Sequence, residues 1–263
     1  TTKIAYGVRR KHILGRHCDG LMNYPFRNAA LNFLRGGDGA KFVSAMEALR
    51  ENYPSFAFYS AMNSLGTHDT PRIITLLGVG SECRDQSKDW RACFRMSMEQ
   101  YQRGKELLKV GAVLLYAFPG SPTVYYGDEA GMEGCADPFC RRTYPWGHED
   151  AQMLARYQAM TAMRNAHPVL RIGECVYLAP CADVLGVIRK NESGRDAFGS
   201  QAENACAVTL INRSAKEVVV YLTAEDVCGA KTLVTDDGQT LSARGGAFSV
   251  KVKGLQGMTG FAE

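Results

Sequence analysis

Several familiar signals are missing from this 263-residue chain, and each absence narrows what the chain can be. No apolar run approaches the roughly 20 residues that a membrane-spanning helix needs, so no transmembrane helix and no membrane partner are expected. No block of like charge forms a tail. The 31 basic and 27 acidic residues leave a formal net charge of only +4, too small and too scattered for a nucleic-acid surface. The nine cysteines, at 18, 83, 93, 135, 140, 175, 181, 206 and 228, contain no C-x-x-C pair. Such a set reads as free thiols in a reducing compartment, hence a cytoplasmic expectation, rather than as a disulfide framework. Cys135 and Cys140 lie close in sequence but are not spaced as a zinc site. No oxygen-ligand loop of EF-hand type is present, so calcium, though open for a longer parent protein, is not indicated here, and no cofactor is expected of this chain. No signal peptide is visible, and an opening at Thr1 reads as a trimmed start. Finally, no aspartate or glutamate precedes Asp19.

What is present alternates. Cys18 to Tyr24 is short and apolar and meets Pro25, which reads as a buried strand followed by a helix over 26–34. A Gly-rich break at 36–39 precedes an amphipathic helix over 40–52. Ala61 to Gly66 reads as a second buried strand, with a helix from Arg72 and a charged linker over 80–89. One long helix is expected from about Trp90 to Ala117, growing nearly all apolar toward its end (VGAVLLYAF). Pro122 to Tyr126, β-branched and aromatic, reads as a third strand. A long Gly-, Pro-, Asp- and Arg-rich loop over 127–145 has the length of a functional segment. A helix over 150–166 ends at Pro168, and Met153, Met160 and Met163 fall at helical spacing on its core side. Strand–helix alternation of this kind argues for a parallel sheet with helical crossovers.

The pattern then changes. CVYLA, DVLGVIRK, ACAVTLIN, EVVVYL, KTLVT and AFSVKV are short alternating runs separated by turn residues, the signature of an antiparallel β-sandwich. Residues 191–203 read as a mobile hairpin loop. The expected organisation is therefore two domains, 1–170 and 171–263, with the boundary near 168–173.

The chemistry concentrates at His68-Asp69, where an apolar strand ends just before Pro71 opens a helix. In α/β barrels, polar residues at the carboxyl ends of strands carry the chemistry. The plain alternative is that Asp69 caps the helix beginning at Pro71. Asp137 and Arg141 are spaced for an ion pair that pins the long loop or serves a ligand. Asp128 and Glu129 read as loop stabilisers, and His12, His17, His148 and His167 as surface or capping residues without ligand spacing.

Three blocks together resemble a known family. Asp19-Gly20-Leu21-Met22-Asn23-Tyr24-Pro25-Phe26, Asn63 to Arg72, and Gly120 to Met132 are similar to the sixth, seventh and eighth barrel strands of the α-amylase superfamily, glycoside hydrolase family thirteen. Its neopullulanase, cyclomaltodextrinase and maltogenic-amylase branch matches best. Asp137-Pro138-Phe139-Cys140-Arg141-Arg142 and Tyr144-Pro145-Trp146 extend the third block. The fold so implied is part of a (β/α)8 TIM barrel, strands six to eight, followed by the family's antiparallel β-sandwich.

The resemblance also implies a chemistry: retaining hydrolysis of α-1,4 or α-1,6 glucosidic bonds in maltodextrins, cyclodextrins or pullulan. That reaction needs a carboxylate nucleophile and a carboxylic acid about 5–5.5 Å apart. The family carries these on strands four and five, and this chain reads as beginning after them. Asp69 is implied as the third carboxylate, stabilising the transition state, with His68 beside it on the same sugar. Asp137 and Arg141 are implied as a charge-assisted pair contacting that sugar. Tyr24 and Trp146 are candidate aromatic platforms; for Trp146, core packing is the equal alternative. The expected partners are an α-glucan and, at the open side of a half-barrel, the missing amino-terminal half or a second copy. The chain alone is expected to be inactive. The rival reading is a non-catalytic, glucan-binding or chaperoning member of the same superfamily.

Overall fold

The computed structural model describes residues 12–14, 17–80, 83 and 86–263. Its first part runs α1 (Tyr24–Leu34), α2 (Gly39–Asn52), α3 (Ser55–Tyr59), β1 (Met62–Ser64), α4 (Ile73–Gly78), α5 (Lys88–Cys93), α6 (Met98–Ala117), β2 (Ser121–Thr123), α7 (Ala151–Ala166) and α8 (Val169–Ile172). β1 and β2 pair in parallel from Met62↔Ser121, and Met22 bridges Met62 in parallel on the other side. Three parallel segments are thus present where three strands are expected, but each is short. The first shrinks to the Met22 bridge because the Asn23 side chain accepts a hydrogen bond from Phe26 N and starts α1 at once.

Two helix starts differ from expectation. The long helix is two, because Phe94 is extended and Ser97 and Gln100 form a reciprocal capping box that restarts the chain as α6. The helix after His68-Asp69 begins at Ile73 with Arg72 at its N-cap and no side-chain cap bond. Pro71 therefore precedes the cap, and Asp69 does not cap this helix.

Next come β3 (Glu174–Cys181), β4 (Val184–Asn191), β5 (Ala205–Asn212), β6 (Val218–Thr223), β7 (Thr232–Thr235), β8 (Thr240–Ser242), β9 (Ala247–Val252) and β10 (Gln256–Ala262). One six-stranded sheet has the order β3-β4-β5-β10-β7-β8, and β6 pairs with β9 in a second. Every pairing here is antiparallel. Val184, Ile188, Val208 and Leu210 of the larger sheet pack against Val220, Leu222, Phe248 and Val250 of the smaller, as alternation places them.

The other core does not stop at the expected boundary. Phe26, Phe33, Phe42, Phe58 and Phe118 gather around α6 in one apolar cluster that also contains Cys175, Tyr177, Leu185, Val187 and Ile211 from the strands. The Phe118 and Tyr177 rings stack with centroids 5.9 Å apart. Residues 192–201 fold back on the helical part: Ala197 N donates to Ile172 O, and Phe198 meets Tyr59 edge-on at 5.3 Å.

Candidate active site

The site is built on the carboxyl ends of the parallel segments. A buried polar ladder ties them together below it: Asn23 Nδ2 donates to Asn63 Oδ1 (2.8 Å), and Asn63 Nδ2 donates to Pro119 O (2.7 Å). Arg27 Nε donates to Leu65 O (2.8 Å), holding the backbone as it leaves β1.

Directly below the corner lies Arg72, whose side chain is 0% exposed. Its guanidinium donates to Tyr126 O and to Asp128 Oδ1 (3.3 Å), and it lies 4.4 and 4.5 Å from the ring centroids of Tyr125 and Tyr126. Asp128 is 3% exposed, and burial pushes its carboxyl up to about 7 against the opposing pull of Arg72. Gly66 is required here, because a Cβ at that position would stand 2.0 Å from Asp128 Oδ2. The backbone closes the arrangement: Arg72 N donates to Gly134 O (2.9 Å), and Gly134 N donates to Thr75 Oγ1 (3.0 Å). The loop after β2 is thereby fastened to the start of α4. Asp128 and Glu129 do stabilise that loop, Glu129 by accepting from Gly127 N (2.9 Å).

Above this floor the chain exposes its polar groups. His68 Nε2 lies 3.2 Å from Asp69 Oδ1, and Thr67 Oγ1 accepts from Asp69 N (3.4 Å). Arg141 joins the two motifs: its Nε is 2.6 Å from Asp137 Oδ1 and donates to His68 O (3.2 Å), and its Nη2 is 3.8 Å from Asp69 Oδ1. Cys140 Sγ also donates to His68 O (3.3 Å). Residues 72 positions apart in sequence thus form one charged rim, with His68, Asp69, Asp137 and Arg141 all exposed. Its carboxylates and guanidinium are placed to exchange hydrogen bonds with a polar ligand and to stabilise positive charge beside it.

Tyr24 follows the Met22 bridge at the same end of the segments and is half-buried. Trp146 is 81% exposed and leans on Tyr144 with centroids 4.6 Å apart, so it is not a core residue. Neither touches the Asp69 rim among the contacts of the described residues. Arg72, Arg27, Asn23, Asn63 and Cys140 are the supporting residues that sequence reasoning did not single out. Among the described residues no group of three or more His, Cys, Asp or Glu is placed to hold a metal ion, and no helix is long and apolar enough to cross a membrane.

An α-amylase catalytic-domain profile matches residues 7–166, and the chain belongs to that family. Among its relatives, the amylopullulanase of Thermoanaerobacterium saccharolyticum is 32% identical over 269 residues, covering 96% of this chain and 20% of that protein. The maltogenic α-amylase of Bacillus acidopullulyticus is 27% identical over 248 residues, covering 90% and 37%. This chain therefore spans about a fifth of the first and little more than a third of the second. Among solved structures, a cyclic α-maltosyl-(1→6)-maltose hydrolase from Arthrobacter globiformis superimposes with a TM-score of 0.71 at 22% identity, over 96% of this chain and 47% of that one. An α-amylase from Geobacillus thermoleovorans, complexed with acarbose, gives 0.74 at 18%, over 94% and 48%. These neighbours establish the fold, and with the family they imply a partial TIM barrel.

Proposed function

We propose that this chain supplies the sugar-holding edge of a retaining α-glucan hydrolase acting on α-1,4 or α-1,6 bonds in maltodextrins, cyclodextrins or pullulan. The observation that carries the reading is Arg141, which joins Asp137 to the His68-Asp69 corner across 72 residues of sequence. In this reading Asp69 stabilises the oxocarbenium-like transition state, while His68, Asp137 and Arg141 bind hydroxyls of the same glucose unit. Tyr24 and Trp146 offer ring faces to neighbouring units. Met22, β1 and β2 are read as barrel strands six to eight, and the region from residue 171 onward as the appended β-sandwich.

Bond cleavage needs two carboxyl groups about 5–5.5 Å apart. Asp137 is held by Arg141 at 2.6 Å and Asp69 lies 3.2 Å from His68 Nε2, and in this reading neither is the nucleophile or the acid. The reading therefore places nucleophile and general acid on polypeptide other than these 263 residues and expects no turnover from the chain alone. The outer edge of β2 has no strand partner among the described residues, and beside it lies an apolar cleft of about 500 Å³ lined by Val124, Tyr126, Leu154 and Tyr157. The rest of a barrel, or a second copy, fits there.

The test is incubation with pullulan, maltoheptaose and a cyclodextrin. Saturable sugar binding without reducing-sugar release is expected, and clear turnover overturns the placement of the nucleophile. The same Asp137–Arg141 pairing also favours a second reading, a glucan-binding subunit with no hydrolytic role. Adding a polypeptide that supplies the remaining strands restores turnover in the first reading and binding alone in the second.

A further inference from the structure

The chain has two tryptophans, and both reach water: Trp146 is 81% exposed and Trp90 40%. Trp90 lies on α5, a helix with no buried residue. This helix does not complete a core. It is instead attached to the loop that carries the sugar-site residues. Arg142 Nη2 donates to Ala92 O (3.1 Å), and the Arg91 guanidinium lies 5.9 Å from the Phe139 ring centroid. Immediately after α5, Glu133 Oε2 accepts from Met96 N (2.7 Å), and Arg95 lies 3.6 Å from Glu133. Arg142 and Phe139 flank Cys140 and Arg141 in the chain, so α5 is tied to the same loop segment as the charged rim.

Trp90 lies within α5, and Phe94 is the residue that ends it. Their centroids are 4.8 Å apart with planes tilted by 31°, so Phe94 backs one face of the Trp90 indole, whose exposed part lies beside exposed Gln86, Lys88 and Asp89. We infer that the exposed side of Trp90, backed by Phe94, is a second stacking platform, which binds glucose units of a long α-glucan beyond those held at Asp69. A pyranose ring offers a C–H face to an aromatic plate and keeps its hydroxyls at the rim, where Lys88, Asp89 and Arg142 supply polar partners. One part-exposed indole on a six-residue helix is far short of the roughly 800 Å² per side that a standard protein interface buries. The inference rests on the α-glucan reading of the Asp69 rim.

The two-tryptophan composition makes the test direct. Trp146→Phe leaves Trp90 as the sole tryptophan reporter while keeping an aromatic ring at 146, and its maltoheptaose affinity is measured beside the parent's as the reference. Maltoheptaose is expected to change the Trp90 emission saturably, and maltotriose, with fewer units to extend past the rim, to leave it unchanged. Trp90→Ala is expected to weaken maltoheptaose binding about five- to tenfold and to leave maltotriose affinity as it is. Phe94→Ala shifts maltoheptaose binding in the same direction by less. Circular dichroism of each variant should match the parent, since α5 buries no residue. A Trp90 emission indifferent to maltoheptaose, or a Trp90→Ala affinity equal to the parent for both sugars, overturns the platform and leaves the rim intact. Failure of the parent to bind either sugar overturns the glucan reading itself.

Discussion

Arginines stand at both ends of the short parallel segments, and the two ends satisfy them differently. At the amino end Arg164 donates to the carbonyls of Tyr116, Phe118 and Gly120, and Arg189 to those of Ala117, Leu170, Arg171 and Gly173. Among the described residues no carboxylate forms an ion pair with either. At the carboxyl end Arg72 meets Asp128, and Arg141 meets Asp137 and Asp69. Carbonyls do not titrate, so the amino end is a fixed clamp across the exit of α6 and the start of β3. The carboxyl end is built from groups whose charge can respond to protons and ligands. One end holds the fold; the other is where chemistry is affordable.

The largest effect expected from this contrast lies at the amino end. Arg189 is fully buried, and Arg189→Leu removes the only side-chain donor to the carbonyls of Leu170 and Gly173 among the described residues. Each buried acceptor left unpaired costs about 1–3 kcal/mol, so urea unfolding should show a loss of about 3–5 kcal/mol. Sugar binding by the fraction that remains folded should be unchanged. A loss under about 1 kcal/mol would show the clamp to be ornamental and erase the distinction between the ends.

The buried floor of the site gives an effect of comparable size, and one that depends on pH. Asp128 has a carboxyl raised from 3.8 to about 7 by burial. The folded protein then keeps a proton that the unfolded chain releases, so this group favours folding most below pH 4. That contribution falls by about 1.4 kcal/mol per pH unit on the way to pH 7. Thermal unfolding of the parent should show this decline, and Asp128→Asn should flatten it. An identical profile in Asp128→Asn would place the titration elsewhere.

How far these two regions could be read in advance differs for physical reasons. His68-Asp69 and the Asp137…Arg141 spacing are local patterns, visible in a few consecutive residues, and the structure brings them to one rim. Met153 and Met160 are buried, as helical spacing requires. Arg72 was in view at the end of the His-Asp block, but its partner Asp128 is 56 positions away, and only packing reveals a buried pair. The strands β8 and β10 were not legible. β10, an interior strand between β5 and β7, carries Gly257 and Gly260 in place of alternating side chains. Gly257 is bare because a Cβ there would stand 2.8 Å from Val113 of α6, a constraint set by a helix about 140 residues earlier in the chain. The break between α5 and α6 was legible in Ser97-x-x-Gln100, and the apolar run that follows concealed it.

The smallest effect on stability should come from the rim, and there the comparison becomes sharpest. Asp69 is exposed, its partners His68 and Arg141 are exposed too, and the Arg141 contact is long at 3.8 Å. Ion pairs in such surroundings contribute about 0–1 kcal/mol, so Asp69→Asn should leave the unfolding free energy within that range. The same substitution keeps the shape of the side chain and removes its charge, so the loss falls on ligands. Hydrogen bonds to a charged acceptor are about twice as strong as neutral ones, so malto-oligosaccharide affinity should fall about tenfold by calorimetry. Arg189→Leu and Asp69→Asn then form opposite cases, one moving stability without binding and the other binding without stability. An Asp69→Asn variant that binds sugar as the parent does, yet unfolds several kcal/mol more easily, would make the rim a structural pin like Arg189 and leave the sugar site to be sought elsewhere on the molecule.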